Sequence, residues 1–130
     1  MSALSNYAEK LLLDWMMTTG SATRPTTWYV ALYTTATDDN SGGTEVTGNG
    51  YARQAVAFDA ATSGAGTTAN SNAPTFTAAG GSWGTITHMA IYDSLTAGNR
   101  LWHGAMTASK TIDDGDSLQF AIGNIDLTLA

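Results

Sequence analysis

The chain contains no cysteine. That excludes a disulfide scaffold, a Cys-ligated zinc site and a thiol nucleophile, and leaves the redox compartment open. Charge is scarce as well. Only 12% of residues are charged, half of the roughly 25% usual in a globular domain. The five basic residues, Lys10, Arg24, Arg53, Arg100 and Lys110, are scattered. No basic stripe exists to neutralise phosphates, so nucleic-acid binding is excluded. No apolar run approaches the roughly 20 residues that a membrane span needs. Glu9, Lys10 and Asp14 interrupt any signal-peptide core near the amino end. The expectation is a protein made, and left, in the cytoplasm, with no membrane partner.

What is present fits one domain, 1–130, with room for a single core. Hydrophobic residues make up 43% of the chain, which together with low charge argues for a packed fold rather than disorder. Polar surface must come from Thr, Ser, Asn and Gly, and such a surface packs against neighbours without desolvating charge.

Helical periodicity occurs once. Leu4, Tyr7, Ala8, Leu11, Leu12, Trp15 and Met16 recur at helical spacing, predicting an amphipathic helix over about 5–18. Asn6 with Glu9 suits a capping pair, Ser2 or Ser5 could cap instead, and Gly20 suits a left-handed stop. Leu13 and Met17 fall on a second apolar face, which a neighbouring subunit could cover. From about residue 26 onward the period becomes two. Residues 28–33 form an apolar run, 34–50 a polar loop, and 51–58 an alternating strand with Ala52, Gln54, Val56 and Phe58 on one side. Residues 59–72 read as a small-residue loop, and 73–77 as a short edge strand, because Pro74 cannot donate to a ladder. Residues 85–92 and 100–108 form a hairpin, followed by an Asp-Gly turn at 113–116. Leu118, Phe120 and Ile122 share one phase, and Ile125, Leu127 and Leu129 the other. A shift at Gly123-Asn124 predicts a β-bulge or a change of sheet. One helix and about seven short strands predict a mainly β fold, an antiparallel β-sandwich or small barrel.

Chemistry is thin. His88 and His103 lie on adjacent strands, but no third ligand stands at metal spacing, so packed imidazoles are the default. Ser82 lacks a nucleophile elbow. Asp113, Asp114 and Asp116, like Asp38, Asp39 and Asn40, could offer oxygens to calcium, yet neither run completes a calcium-loop pattern. Neither a catalytic residue nor a cofactor is assigned. Four Trp and five Tyr are more telling. Trp28, Trp83 and Trp102 sit near strand ends or turns, where aromatics serve the core, a subunit interface or a sugar platform.

Gly43 to Val56, with the run Gly48-Asn49-Gly50-Tyr51-Ala52-Arg53-Gln54, resembles a segment of a family of small tailed-phage virion proteins. So do Gly81 to His88 continuing into Ile91-Tyr92-Asp93, the strand 29–35, and the pair 109–112 and 118–123. The resemblance runs in order along nearly the whole chain. Members are tail-fibre-like or minor virion structural proteins and resemble decoration proteins in size. This implies a non-enzymatic virion subunit, made in the host-cell cytoplasm, whose partners are major capsid or tail proteins. It also implies a homo-oligomer, with a trimer favoured by analogy with decoration proteins. The alternative is a receptor- or carbohydrate-binding module displayed on the virion. Leu13, Met17, Trp28, Trp83 and Trp102 are the expected interface residues.

Overall fold

In a computed structural model of the chain, which describes residues 3–62 and 64–129, the helix starts because Ser5 caps it. The Ser5 hydroxyl accepts from the Ala8 N–H at 3.1 Å, satisfying one of the orphan donors of a first turn. Strand β1 (Ala3–Leu4) leads into helix α1 (Asn6–Met17). The helix stops at Thr18, whose backbone is extended, and not at a left-handed Gly20. Thr18 Oγ1 donates to the Asp14 carbonyl at 2.8 Å and accepts from the Gly20 N–H at 3.1 Å, so a side chain closes the end that the glycine was expected to close.

The strands are β2 (Tyr29–Tyr33), β3 (Gln54–Ala55), β4 (Thr67–Ala69), β5 (Thr75–Thr77), β6 (Gly84–Tyr92), β7 (Arg100–Ile112), β8 (Ser117–Gln119) and β9 (Asp126–Thr128). Five form one antiparallel sheet in the order β1-β7-β6-β2-β3; β4 pairs with β9, and β5 with β8. The result is sandwich-like, with no closed barrel.

Register decides which side chains meet. Val30 stands opposite Ile91, and Leu32 opposite Met89. These four look into the main core, with Phe76, Leu118, Phe120, Ile125 and Leu127 from the region of the two small sheets. Burying a side chain of this size contributes roughly 1.5–3 kcal/mol. Ala31 opposite Ala90 lies on the other face, packed with Tyr33 and Tyr92 in a second, smaller cluster. Both faces of β2 are therefore covered, as its unbroken apolar run predicts.

The phase shift at Gly123 is a change of sheet. Leu118 belongs to β8 and Leu127 to β9, with a turn between them in which Asn124 N–H reaches the Ala121 carbonyl at 3.0 Å. Gly123 takes φ 85° there, a conformation glycine adopts without strain. Ile122 and Leu129 lie beyond the strand ends and are exposed. Buried Asn70 fastens the turn: its Nδ2 donates to the Asn72 and Ala121 carbonyls at 2.7 and 2.9 Å, and its Oδ1 accepts from Ile125 N–H at 2.8 Å.

Other expectations need correction. The strand at 51–58 shrinks to Gln54–Ala55, and its inward residues are Tyr51, Arg53 and Val56, while Ala52 is exposed. Residues 59–72 hold a strand, β4. The 34–50 stretch is tied down: Val46 N–H bonds the Leu32 carbonyl at 3.0 Å, and Thr34 N–H the Thr44 carbonyl at 3.0 Å. Gly43, at φ 97°, would bring a β-carbon within 2.9 Å of the Ala36 carbonyl and the Tyr33 ring.

Candidate interaction surface

The residues that could carry chemistry are mostly committed to the fold. His88 stands opposite Ala105, and His103 opposite Ala90. His88 Nδ1 meets Thr87 Oγ1 at 2.8 Å; His103 meets Thr37 Oγ1 at 3.0 Å and Asp39 Oδ1 at 2.9 Å. Each imidazole is held by its own neighbours. Asp38 Oδ1 accepts from the Gly42 and Asn40 N–H groups at 2.7 and 2.9 Å, and these bonds hold its carboxyl below the usual range. Asp114 accepts from Gly80 N–H at 2.9 Å, and Asp116 from Asp113 N–H at 3.0 Å. Among the described residues, no three His, Asp or Glu side chains cluster to hold a metal.

The second face of the large sheet holds an arginine–tyrosine cluster that the sequence reading did not find. Arg53 is 8% exposed and Arg100 4%. Arg53 forks onto Glu45 at 2.8 and 2.9 Å, donates to the Ser94 and Ala97 carbonyls at 2.9 and 2.8 Å, and lies 3.8 Å from the Tyr92 ring centroid. Arg100 donates to the Tyr92 hydroxyl at 3.2 Å and to the Asp38 and Gly42 carbonyls at 2.8 and 2.9 Å. Burial alone would lower both guanidinium pKa values, but Glu45 beside Arg53, and Tyr33 and Tyr92 beside Arg100, carry them upward. Tyr33 and Tyr92 share a hydrogen bond at 2.7 Å. Tyr51 donates to Glu45 at 2.8 Å and accepts from Leu32 N–H at 3.0 Å. Burial pushes the Tyr33 and Tyr51 hydroxyls well above the usual tyrosine range. With their donors spent on carbonyls, a carboxylate and a hydroxyl, the two arginines lock loops to the sheet and do not await an anion.

The surface left over is the helix. Its first turn is seated: Ser5 N–H bonds the Leu101 carbonyl at 2.9 Å, Asn6 N–H the Asp39 carbonyl at 2.9 Å, and Ser5 Oγ donates to the Arg100 carbonyl. Ala8 is buried and Leu11 and Leu12 half-buried, but the last turn reaches past the sheet. Leu13, Trp15, Met16 and Met17 are 61, 67, 63 and 72% exposed. Leu13 and Met17 stand open, as the second-face reading has them. Trp15 and Met16, expected in the core, stand open too, because the domain meets only the first half of the stripe on which they lie. Lys10 and Asp14 pair with each other on the side away from Ala8 and Trp15.

The three strand-end tryptophans separate. Trp83 is a core residue, edge-on to Tyr51 at 5.6 Å and 88°, with its indole N–H donating to the Asn49 carbonyl at 3.0 Å; it has little to offer a partner. Trp28 and Trp102 come together, with Phe58, in the lining of a 270 Å³ cleft. A wider groove of 600 Å³ runs beside β7, where Met106 to Ser109 stand opposite Thr87 alone.

No curated protein matches the chain. A family model, described as podophage GP4 fiber I protein gp80, matches residues 3–128. A small β-rich chain with an uncovered helix tip, matched over nearly its whole length, thus belongs to the podophage GP4 fiber I protein gp80 family, a phage fibre structural family.

Proposed function

We propose that the chain is a non-enzymatic, fibre-like structural subunit of the virion that joins copies of itself through the tip of α1. The carrying observation is the exposure of Leu13, Trp15, Met16 and Met17. Large apolar side chains gathered at one exposed point mark an association surface. Lys10 and Asp14, on the flank beside Leu13 and Met17, neutralise each other. A closed cyclic arrangement, with three copies as the favoured number, uses one such patch per subunit. A fibre position rather than capsid decoration takes its support from the family description.

Sedimentation of the purified protein tests this. The expected species is a discrete multiple of the 13.5 kDa chain, and the double variant Trp15→Ser, Met17→Ser is expected to run as a folded monomer. A wild-type chain that stays monomeric at every concentration, and is not taken up by particles lacking it, would sink the proposal.

A further inference from the structure

We infer that the groove beside β7 is the dock that receives the helix tip of a second copy of this chain. The inference rests on the self-association through α1 proposed above, and names the surface that the tip meets.

The groove exists because β7 leaves the ladder. His88 stands opposite Ala105 and Ile86 opposite Lys110, so Met106 to Ser109 face Thr87 alone. A strand with surplus residues bends away from its partner. On its other edge β7 is paired by β1 only at Trp102 and His103. The groove runs along the stretch that follows, lined by the core residues Met89, Leu118 and Phe120 and by half-buried Met106.

Three features match this groove to the tip. The first is form. Leu13, Trp15, Met16 and Met17 stand open, so the tip does not fill the groove of its own chain. Helix α1 is seated on Arg100 and Leu101, the first residues of β7, whereas the groove begins at Met106. At 600 Å³ it has more than twice the volume of the 270 Å³ cleft. It falls within the roughly 300–1,000 Å³ of pockets that bury a drug-sized ligand, room for more than one side chain of the tip.

The second is the kind of side chain. The tip offers Met16, Met17 and an indole, and the groove offers Met89, Met106 and a phenyl ring. Thioethers fit irregular gaps and favour aromatic edges. The third is charge. Lys110 and Asp126 line the groove, and Lys10 and Asp14 flank the tip. An exposed pair such as Lys10 with Asp14 is held weakly, so both can turn to new partners, Asp14 toward Lys110 and Lys10 toward Asp126. Opposite signs then face each other, which fixes the direction in which the helix lies. Because tip and groove are different surfaces of one chain, each copy gives its tip to one neighbour and takes the tip of another. Such a contact closes a ring without any helix meeting its own kind.

Thiol cross-linking tests this in the full chain, which has no cysteine of its own. Met17→Cys marks the tip and Ala108→Cys the groove, both at exposed positions. Under a mild oxidant the two variants mixed together should give a covalent dimer, and neither alone should. Met16→Cys mixed with Ser109→Cys should behave in the same way. Ala108→Trp, which fills the groove from an exposed position, should weaken assembly at least about tenfold with the circular dichroism unchanged. If Met17→Cys alone cross-links to itself, tip meets tip; the dock is then overturned while self-association stands. An assembled protein in which neither mixed pair cross-links, or in which Ala108→Trp assembles like the wild type, overturns the dock as well. A wild-type chain that sediments only as a monomer removes self-association itself, and the dock with it.

Discussion

At the scale of single residues, two buried arginines organise the half of the fold that hydrophobicity does not explain. Removing the Arg53 head group leaves the Glu45 carboxylate and the Ser94 and Ala97 carbonyls without their donors. Arg53→Met is therefore expected to cost about 3 kcal/mol, the low end for breaking a buried ion pair, since Glu45 keeps some contact with water. Urea unfolding measures it. In the Glu45→Gln, Arg53→Met double variant the loss should be smaller than the sum of the two single losses. The tyrosines give the cluster a pH limit. Folding raises the Tyr33 and Tyr51 pKa values, so the folded chain keeps protons that the unfolded chain releases. Their contribution is full below about pH 10, where free tyrosine ionises, and declines as pH rises beyond it. Urea midpoints between about pH 8 and about pH 11 should fall, and Tyr51→Phe should fall less steeply while starting lower at neutral pH.

At the scale of elements, the helix is capped by one residue with two duties. Ser5 both accepts from Ala8 and bonds to the Arg100 carbonyl. Ser5→Ala should cost about 1 kcal/mol, concentrated in the helix, where amide exchange should quicken at least about fivefold with the β-core amides unchanged. Asn70 is the corresponding pin of the sheet change. Asn70→Ala leaves the buried Ile125 N–H without its acceptor and the Asn72 carbonyl without its donor, and should cost about 2 kcal/mol. Elements of this kind differ in how far the sequence discloses them. The hairpin of β6 and β7 was legible, because both strands carry long β-forming runs around a turn-forming connection. The change of sheet at Gly123 was legible as a phase shift, since period two has only two phases. Asn70 was not, because an asparagine in a polar stretch carries no local sign of burial. Arg53 was missed for a related reason: alternation counts an arginine as outward, and only a distant glutamate, two carbonyls and a tyrosine ring turn it inward. The helix was legible in extent, but how much of it is covered depends on where the sheet ends, and periodicity is silent about that. Of the candidate site residues, Leu13 and Met17 stand open, Trp28 and Trp102 converge, and Trp83 lies in the core; only three-dimensional placement separates these cases.

At the scale of the whole molecule, the β-domain and the helix tip make separate demands on the chain. No side chain of α1 belongs to either buried cluster, although Ala8 is itself buried. A chain lacking residues 1–20 is expected to keep its β-type circular dichroism and lose its ability to assemble, and global unfolding would instead make α1 part of the core. The truncation also uncovers the β7 edge at Trp102 and His103, which β1 pairs in the intact chain; slow strand-to-strand aggregation should follow, visible by light scattering. The seating of α1 also has a consequence in time. The helix is synthesised before its seat, since the Ser5 contacts at Arg100 and Leu101 lie 95 residues further along. At roughly 5–20 residues per second, the ribosome takes about 5–20 s to supply them. Until then nothing fixes the direction in which Trp15, Met16 and Met17 point. Only a completed chain holds its helix tip in one direction.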